Sequence, residues 1–307
     1  MSAATTAAAP GRAPAPPRRP RRRGPRPARV VLHVALTLVA AAFLLPVAWA
    51  VLTSLRPYEE TARRGYVSVP DTLTLDNYRT ALQDGQLLPF FLNTVVIVVP
   101  ALVVTLALAS MAAFVLSRFS FRLNLPLLLL FTAGNLLPPQ VIITPLVSIF
   151  RDVPLPDVLS SSGALFDSYW GVGLVHVGFQ VGFCVFVLSS YMRTLPVELT
   201  EAARVDGAGV WRQYASVVLP LCRAPLAALA TLQFTWMYND FFWALVLMVT
   251  GDKRPITSAL DNLRAGFFTD NNLVAAGAVL IALPTVVVFV VLQKQLVGGL
   301  TVGATKG

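Results

Sequence analysis

The chain has 307 residues, of which 56% are hydrophobic and 13% are charged, and its formal net charge is +9. Soluble domains carry about 25% charged residues, so this composition excludes an ordinary soluble protein and indicates a membrane protein. The positive charge clusters beside apolar segments, which argues against a nucleic-acid partner, and two cysteines do not suggest a disulfide framework.

Residues 1–29 consist mostly of alanine, proline and arginine. Such a segment cannot bury a core, so we predict a disordered, basic cytoplasmic tail. Its arginines can orient the chain and touch anionic lipid. Alternatively, the tail is a solvated extension with no other role, and we favour this second interpretation.

The first apolar run, 30–52, follows these arginines and includes Ala48-Trp49-Ala50, which together mimic a cleavable signal peptide. The hydrophobic region of a signal peptide has about 7–15 residues, whereas a helix that crosses a bilayer needs about 20. The length of this run therefore predicts a retained first span.

Five further apolar runs are each long enough to cross a bilayer. They lie near residues 93–116, 125–150, 169–191, 224–249 and 273–296. Because backbone polar groups in lipid must pair internally, each run is predicted to be helical. The sequence thus predicts an all-α, polytopic membrane protein whose six-span domain covers 30–298, with proline interruptions at Pro138-Pro139, Pro145 and Pro284.

The distribution of charge predicts the orientation. With the amino terminus inside, 16 of the 24 Lys and Arg residues lie inside and eight lie outside. The positive-inside rule then places both termini, and the loop between the fourth and fifth spans, in the cytoplasm. The first outside segment, Arg56–Phe90, is too small for a separate domain and predicts a short amphipathic helix around Asp76–Leu82.

Several catalytic motifs are missing from the sequence. A P-loop requires glycine followed by lysine, and the sequence has no such pair. It also lacks H-E-x-x-H and C-x-x-C. His33 and His176 stand alone on apolar runs, where a packed or interfacial histidine is commoner than a ligand. We therefore predict that this chain is not an enzyme and has no metal, cofactor or ATP site of its own.

The loop between the fourth and fifth spans is a long polar interruption. We predict two short helices that break at Gly207-Ala208-Gly209. Glu198 and Glu201 come early in the first helix, where the helix dipole favours acids. Gly207 is expected at a positive φ, and Pro220 is expected in the first turn of the next helix.

The spacing in this loop carries a family resemblance. Glu201-Ala202-Ala203, Gly207 and Val217-Val218-Leu219-Pro220 resemble the EAA loop of ATP-binding-cassette importer permeases, E-A-A-x3-G-x9-I-x-L-P, with valine for isoleucine at 217. The resemblance covers roughly the last two hundred residues well. It implies a pair of coupling helices that dock on an ATPase, with the contributing residues Glu198, Glu201, Ala202, Ala203, Asp206, Gly207, Leu219 and Pro220. An amphipathic loop that lies on the bilayer is the alternative.

A second candidate site lies in the fifth predicted span. Its sequence, Trp236–Trp243, resembles the W-N-E/D-F pattern of carbohydrate permeases, with Tyr238 at the tryptophan position. An acid within a span is costly and indicates function, and aromatic faces suit sugar rings. Tyr238, Asn239 and Asp240 are therefore candidates to line the substrate pathway; equally, Asn239 and Asp240 can bond helices together. Asn135, Gln140 and Gln180 are weaker candidates, because helix-packing amides explain them as well.

Two further segments resemble the maltose-type branch of these permeases. Gly251-Asp252-Lys253-Arg254 resembles a loop that reaches into the sugar cleft of the binding protein, although by itself it is a polar turn. The carboxyl-terminal tail, 299–307, resembles a segment that inserts between the ATPase subunits, which implies contacts from Gly303, Lys306 and Gly307. By itself the tail is a short flexible end.

The resemblance implies one permease half of an ATP-driven carbohydrate importer in a bacterial plasma membrane. The expected partners are a second, homologous permease, two ATPase subunits that hold ATP and Mg, an extracytoplasmic sugar-binding protein and the lipid bilayer. An ion-coupled secondary transporter is the alternative; it would need intramembrane ionisable groups, and Asp240 is the only acid in a predicted span. A membrane-embedded enzyme would need convergent catalytic residues, which the sequence does not offer.

Overall fold

A computed structural model of the chain describes residues 27–134, 138–264 and 270–301. Contacts divide the chain into two units, Met1–Ala48 and Trp49–Gly307. The described part of the first unit is the amino-terminal portion of one helix. All packing described below lies within the second unit.

Fourteen α-helices follow one another along the described residues. In chain order they are α1 (Pro27–Ser54), α2 (Tyr58–Arg64), α3 (Asp76–Asp84), α4 (Leu87–Arg118), α5 (Asn124–Gly134), α6 (Ile143–Asp152), α7 (Tyr169–Met192), α8 (Glu198–Val205), α9 (Val210–Arg212), α10 (Leu219–Leu221), α11 (Arg223–Tyr238), α12 (Phe242–Leu247), α13 (Ala259–Arg264) and α14 (Asn271–Thr301). Short 3₁₀ turns cover Pro139–Ile142, Gly251–Lys253 and Ile256–Ser258, and a π-helical turn covers Gln213–Val218. The short amphipathic helix predicted around Asp76–Leu82 is confirmed as α3.

Within the part of the chain that the structure describes, four helices contain apolar stretches long enough to cross a membrane. These stretches are Ala28–Ser54, Leu87–Arg118, Tyr169–Met192 and Asn271–Gln293. Two bent helix pairs, Asn124–Gly134 with Pro139–Asp152 and Val210–Leu221 with Arg223–Tyr238, bring the number to six if each pair counts as one span. The all-α, multi-pass fold class is confirmed, and six spans are reached only when both bent pairs are counted.

Two of the predicted runs are divided. The run 125–150 separates into α5 and a second helical piece. This second piece begins at Pro139, the second proline of the Pro138-Pro139 pair. Residues 135–137, between the two pieces, lie outside the described part of the chain. A single helix over 224–249 is wrong, because α11 ends at Tyr238 and α12 begins at Phe242. Asp240 lies in this break and bonds the backbone of the following helix, as an N-cap residue does.

The helix bounds also differ at the ends of the chain. α1 begins at Pro27, three residues before the predicted first span; proline is well tolerated in the first turn of a helix. The rest of the predicted tail, 1–26, lies outside the described residues. α14 extends to Thr301, into the predicted carboxyl-terminal tail, whereas Gly303, Lys306 and Gly307 lie outside the described residues.

α4 and α7 pack side by side and run parallel. At their amino-terminal ends, the Tyr169 hydroxyl donates to Asn93 Oδ1 at 2.8 Å. At their carboxyl-terminal ends, Arg118 Nη1 donates to the Leu195 carbonyl at 3.1 Å. Between these points lie fully buried residues, which include Ala109, Ala113, Cys184 and Leu188. Small side chains allow two helices to approach closely, so this pair forms the frame on which the candidate sites are built.

Candidate functional site

The Glu198–Pro220 segment forms a sharp corner between α8 and α9. Gly207 has a φ of 79°, in the left-handed region. Its N–H donates to the Arg204 carbonyl at 3.0 Å, and the Ala208 N–H donates to the Ala203 carbonyl at 2.9 Å. This pair of bonds is the Schellman pattern of a helix end, which needs a left-handed residue. The predicted helix break and the positive φ at Gly207 are confirmed.

Two buried side chains hold the corner from beneath. Gln213 Nε2 donates to the Ala208 carbonyl at 2.8 Å, across the turn. The Tyr214 hydroxyl lies 2.8 Å from Ser110 Oγ on α4. The Tyr214 ring also packs against Phe114, with 5.5 Å between the ring centroids. Sequence reasoning missed both residues; an aromatic side chain within a polar loop was the signal for Tyr214.

The chain widens into a π-helical turn, Gln213–Val218, before it reaches Pro220. Turns of this kind occur frequently at functional sites. Pro220 lies in the first turn of α10, as predicted, but the chain is already helical at that point. The change in direction comes after α10, where Val210–Leu221 and α11 meet at 76°. Leu219 and Pro220 are half-buried, so they shape the corner and contribute little to its outer surface.

The outer surface of the corner mixes charged and apolar side chains. Val205 is 89% exposed and Trp211 is 67% exposed. Glu201 and Ala202 are exposed and Ala203 is half-buried. The exposed residues are Glu198, Leu199, Glu201, Ala202, Arg204, Val205, Asp206, Gly207, Gly209, Val210, Trp211 and Arg212. Large apolar groups surrounded by polar ones are typical of protein–protein interaction sites.

Two arginines cross between the carboxyl-terminal ends of α4 and α7. Arg118, the last residue of α4, donates to the Leu195 carbonyl just beyond α7 at 3.1 Å. Arg193, just after α7, donates to the Leu116 carbonyl of α4 at 3.3 Å. Basic side chains near a helix carboxyl terminus satisfy its free carbonyls and complement its dipole. Arg193 lies in the short connection between α7 and α8. Its bond to α4 therefore connects the corner to both long helices.

Tyr238 and Asn239 connect α11 to α14. The Tyr238 hydroxyl donates to the Ile281 carbonyl at 2.9 Å, and the side chain is only 2% exposed. Asn239 is exposed, and its Nδ2 donates to the Thr235 carbonyl at 2.8 Å and to Thr285 Oγ1 at 3.3 Å. Asn239 therefore makes a helix-bonding contact of the kind given in the second interpretation above and is also exposed. Tyr238 makes a contact of the same kind that this interpretation did not include.

Asp240 and His176 lie close together at the break between α11 and α12. Asp240 Oδ2 accepts a hydrogen bond from the Trp243 N–H at 3.1 Å, and His176 Nε2 lies 3.8 Å from the same oxygen. His176 is 4% exposed. His176 is therefore a packed histidine, as expected, but it does not stand alone, because Asp240 lies beside it. Among the described residues, no three His, Cys, Asp or Glu side chains converge to hold a metal ion.

The two amides proposed on the third predicted span differ in what the structure describes. Gln140 is exposed in the 3₁₀ turn before α6. Asn135 lies outside the described residues. Of this pair, only Gln140 can be placed, and it is accessible at the surface of the chain.

Asp167 fixes the start of the loop that follows α12. Its carboxylate accepts hydrogen bonds from the N–H groups of Val249 at 2.8 Å and Thr250 at 3.0 Å, and from the Thr250 hydroxyl. Burial opposes the charged carboxylate, but the bonds from Thr250 and Val249, together with the charge of Lys253, outweigh it and lower the pKa of Asp167. The carboxylate is thus ionised at neutral pH and holds the loop in place.

The Gly251–Arg254 loop is fixed through its backbone. Asn93 Nδ2 donates to the carbonyls of Asp252 at 2.7 Å and Arg254 at 3.0 Å. Gly251 and Asp252 are exposed, whereas Lys253 and Arg254 are half-buried. The loop is therefore a rigid projection at the amino-terminal ends of α4 and α7, and its side chains remain partly free.

A buried polar cluster follows α1, which sequence reasoning missed. Arg56 is 2% exposed, and its Nη2 donates to Glu60 Oε1 at 3.1 Å and Ser68 Oγ at 2.8 Å. Hydrogen bonds to the Glu60 carboxylate, of which the Asp71 N–H contributes most, lower its pKa to about 2. Asn272, fully buried at the start of α14, donates to the Arg56 carbonyl at 2.9 Å. In sequence these residues look like an ordinary polar loop.

Comparison with known proteins gives one family. A family model described as binding-protein-dependent transport system inner membrane component matches residues 105–301. The trehalose transport system permease protein SugB of Mycobacterium tuberculosis is 33% identical, over 88% of this chain and 95% of its own length. The diacetylchitobiose uptake system permease protein NgcG of Streptomyces coelicolor is 30% identical, over 89% of this chain and 87% of its own length.

One solved structure supports the helical architecture. It is a bacterial ABC transporter involved in the import of the acidic polysaccharide alginate, and one of its chains matches with a TM-score of 0.73 and 22% identity. The match covers 87% of this chain and 95% of that chain. At this level of identity the likeness concerns the fold.

Proposed function

The chain belongs to the family of binding-protein-dependent transport system inner membrane components, and from that premise we propose that it imports a carbohydrate and that Glu198–Pro220 couples it to an ATPase. As a member of this family it is a multi-pass transmembrane permease subunit of an ABC importer. The ion-coupled alternative is not supported by the comparisons.

The observation that carries the coupling role is the geometry of the corner. Its backbone is fixed by the Schellman bonds around Gly207, and Gln213 and Tyr214 hold it from below. Its outer surface carries Glu201 and the highly exposed Val205. A rigid support with an exposed, mixed apolar and charged surface is what a docking site for another protein requires.

The proposed mechanism is mechanical. An ATPase subunit that grips the outer surface of the corner would move α8 and α9 when it closes around ATP. Tyr214 would transmit this displacement to α4 through Ser110, and the 76° bend after Leu221 would transmit it to α11. ATP and Mg would be held by the partner ATPase subunits, because the sequence of this chain lacks the Gly-Lys pair of a P-loop.

The proposed cargo is a di- or oligosaccharide. SugB is a trehalose transport permease and NgcG belongs to a diacetylchitobiose uptake system, as their names state. Asn239 and Gln140 present exposed amides that suit hydroxyl-rich ligands. Asp240 stays a candidate for the pathway, whereas Tyr238 would act through its contact with α14.

The proposed assembly contains a second, homologous permease, two ATPase subunits and an extracytoplasmic sugar-binding protein in a bacterial plasma membrane. Both termini and the corner would be cytoplasmic, where ATPases can reach them. The Gly251–Arg254 loop would then face the binding protein. Gly303, Lys306 and Gly307 are proposed to contact the ATPases.

The test substitutes valine for each of two neighbouring glycines. Gly207 has a φ of 79°, whereas Gly209 has a φ of −64° in extended backbone, and an added Cβ meets nothing within 4 Å at either position. A left-handed conformation costs an L-residue about 1–2 kcal/mol, and a β-branched residue is particularly unsuited to it. Gly207→Val is therefore expected to distort the corner. Both glycines lie on its exposed outer surface, so Gly209→Val adds the same bulk there without the backbone strain and serves as the matched control.

Both variants are expected to insert into the membrane and to be purified in similar yield. Gly207→Val should lose binding-protein-stimulated ATP hydrolysis and sugar uptake, and Gly209→Val should keep most of both. Unchanged uptake in Gly207→Val would contradict the coupling role. Equal loss in the two variants would show that the left-handed backbone at Gly207 is not what coupling depends on.

A further inference from the structure

An apolar groove runs along the outside of α4 and α7, near their amino-terminal ends. Its volume is about 240 Å³. Pro100 and Val104 of α4 lie on one side, and Gly173 and Leu174 of α7 lie on the other. The absence of a side chain at Gly173 keeps the groove open. For comparison, an engineered cavity of about 150 Å³ is large enough to bind benzene.

A second pocket adjoins this groove; we call it the polar pocket because charged and hydroxyl groups join its mostly apolar lining. Its volume is about 400 Å³, and its lining includes Asp157, Ser161 and Lys253. The groove and the pocket share Val96, Tyr169 and Trp170, so they form one continuous site. One part is apolar and elongated, and the other offers one acidic group, one basic group and hydroxyls.

The residues at the junction indicate the membrane surface. Tyr169 and Trp170 open α7, one of the helices long enough to span a bilayer. Tyrosine and tryptophan concentrate at the level of lipid headgroups, because their rings are amphipathic. Trp170 is 47% exposed, whereas the Tyr169 hydroxyl is fixed by Asn93. The groove then lies beside lipid tails, and the polar pocket lies at headgroup depth.

We propose that this groove and pocket bind one phospholipid with a zwitterionic phosphoethanolamine headgroup. One acyl chain lies between α4 and α7. The phosphate contacts Lys253, the ammonium group of the lipid contacts Asp157, and the serine hydroxyls bond the remaining oxygens. This lipid site rests on the proposed function in one respect only, because the orientation of the chain decides the leaflet in which the lipid lies. With the amino terminus in the cytoplasm, that leaflet is the outer one.

Lys253 is set up for an additional acceptor. Its Nζ donates to Ser161 Oγ and also lies 3.4 Å from the Asp167 carbonyl. An ammonium group has three N–H donors, so within the described part of the chain one donor is left for a phosphate oxygen. The Asp167 carboxylate accepts hydrogen bonds from the Thr250 N–H and hydroxyl. It is therefore only a partial competitor of a phosphate for the Lys253 ammonium group.

The headgroup must supply the selectivity of this site. Lipid tails are as apolar as the groove, so the hydrophobic effect does not drive an acyl chain out of the bilayer into it. Phosphatidylglycerol carries the phosphate but has no ammonium group to pair with Asp157. The charge pattern of the pocket therefore favours phosphatidylethanolamine over phosphatidylglycerol.

A helix of the second permease is the competing occupant of the groove. A membrane-spanning helix is predominantly apolar, so it would cover the apolar surface, but it would pair with Lys253 and Asp157 only if one of its ends carried both charges. A zwitterionic headgroup carries both charges in one molecule. The paired charges of the pocket thus favour a lipid, and the experiment separates the two occupants.

The experiment measures lipid binding to the full-length chain, purified with its partner subunits in mild detergent. Native mass spectrometry follows titration with phosphatidylethanolamine, phosphatidylglycerol or phosphatidylcholine. Gly173→Leu fills the groove, and Gly178→Leu is the matched control on the same helix, outside the groove. Lys253→Gln and Asp157→Asn change the headgroup contacts without touching the helix packing.

Phosphatidylethanolamine is expected to bind about tenfold more tightly than phosphatidylglycerol, and Lys253→Gln should weaken it by about tenfold, as loss of a bond to a charged group does. Asp157→Asn should remove most of the preference. Gly173→Leu should abolish this binding, and Gly178→Leu should retain it. Equal binding of both lipids, or no effect of Lys253→Gln, would overturn the proposal. So would a crosslink from Gly173→Cys to the second permease. None of these readouts needs transport or ATP hydrolysis, so their failure is separate from failure of the coupling role.

Discussion

Ser110→Ala is expected to loosen the corner more than Tyr214→Phe, although both remove the same hydrogen bond. Ser110 Oγ donates to the Ala107 carbonyl at 3.0 Å. A hydroxyl has only one hydrogen to donate, so we assign the Tyr214 hydroxyl as the donor in the contact with Ser110. Ser110→Ala leaves that donor without an acceptor, whereas Tyr214→Phe leaves Ser110 with its own donation intact.

The burial of both groups sets the magnitude. Ser110 is 2% exposed and Tyr214 is 6% exposed. A buried polar group without a partner costs about 1–3 kcal/mol, whereas loss of an ordinary hydrogen bond costs about 0.5–1.5 kcal/mol. Ser110→Ala should therefore lower the free energy of unfolding by the larger amount, and Tyr214→Phe by the smaller. The double variant should cost less than the sum, because the two groups share one bond.

The assay is denaturant unfolding of the purified chain in detergent, together with the rate of protease cleavage within Glu198–Pro220. Ser117→Ala is the control, because Ser117 donates only to the Phe114 carbonyl of its own helix, at 3.1 Å. It should change neither measurement noticeably. If Tyr214→Phe costs as much as Ser110→Ala, or if the two effects add, the assigned direction of the hydrogen bond is wrong.

Two further substitutions test the packing around the extracellular-side loops of the proposed orientation. Asp167→Asn should free the Thr250 loop, seen as faster proteolysis there. Since the folded pKa of Asp167 is lowered, its stabilisation is complete above the ordinary value of 3.8 and is lost as pH falls through the folded value. The variant should lack this acid-dependent loss. Gly171→Ala should destabilise the fold by about 1–3 kcal/mol, because its Cβ would collide with the Leu165 carbonyl. Gly178→Ala, whose Cβ meets open space within α7, should instead stabilise the fold by about 0.5–1 kcal/mol, because glycine is less favourable than alanine inside a helix.

Local signals in the sequence predicted the corner and most of the helices, although the break between α11 and α12 was missed. Apolar length identified the long helices, and the Pro138-Pro139 pair located the interruption after α5. The presence of glycine at position 207 predicted a positive φ there, because the left-handed residue that ends a helix is a local property of the chain. These features depend on neighbours within a few residues, which a single sequence displays directly.

Contacts between distant residues were not accessible in this way. Asp240 was recognised as costly in a span, but its neighbour His176 emerges only when α7 and α11 are brought together. The same holds for Arg56 and Asn272, which are 216 residues apart in the sequence. The Asn272 side chain nevertheless donates to the Arg56 carbonyl. The bond from the Trp243 N–H to Asp240 is local, and it was missed because the run was taken as one continuous helix. Hydropathy reports how apolar a segment is, and it carries no information on which polar side chain meets which.

The crossed arginines have a mechanical consequence. A slide of one residue along a helix axis moves each guanidinium by about 1.5 Å. That is enough to break the bonds of Arg118 at 3.1 Å and Arg193 at 3.3 Å. We therefore expect α4 and α7 to keep their axial register and to move together. Under the proposed coupling role, a displacement at the corner would reach the opposite ends of these helices, where Asn93 holds the backbone of the Gly251–Arg254 loop.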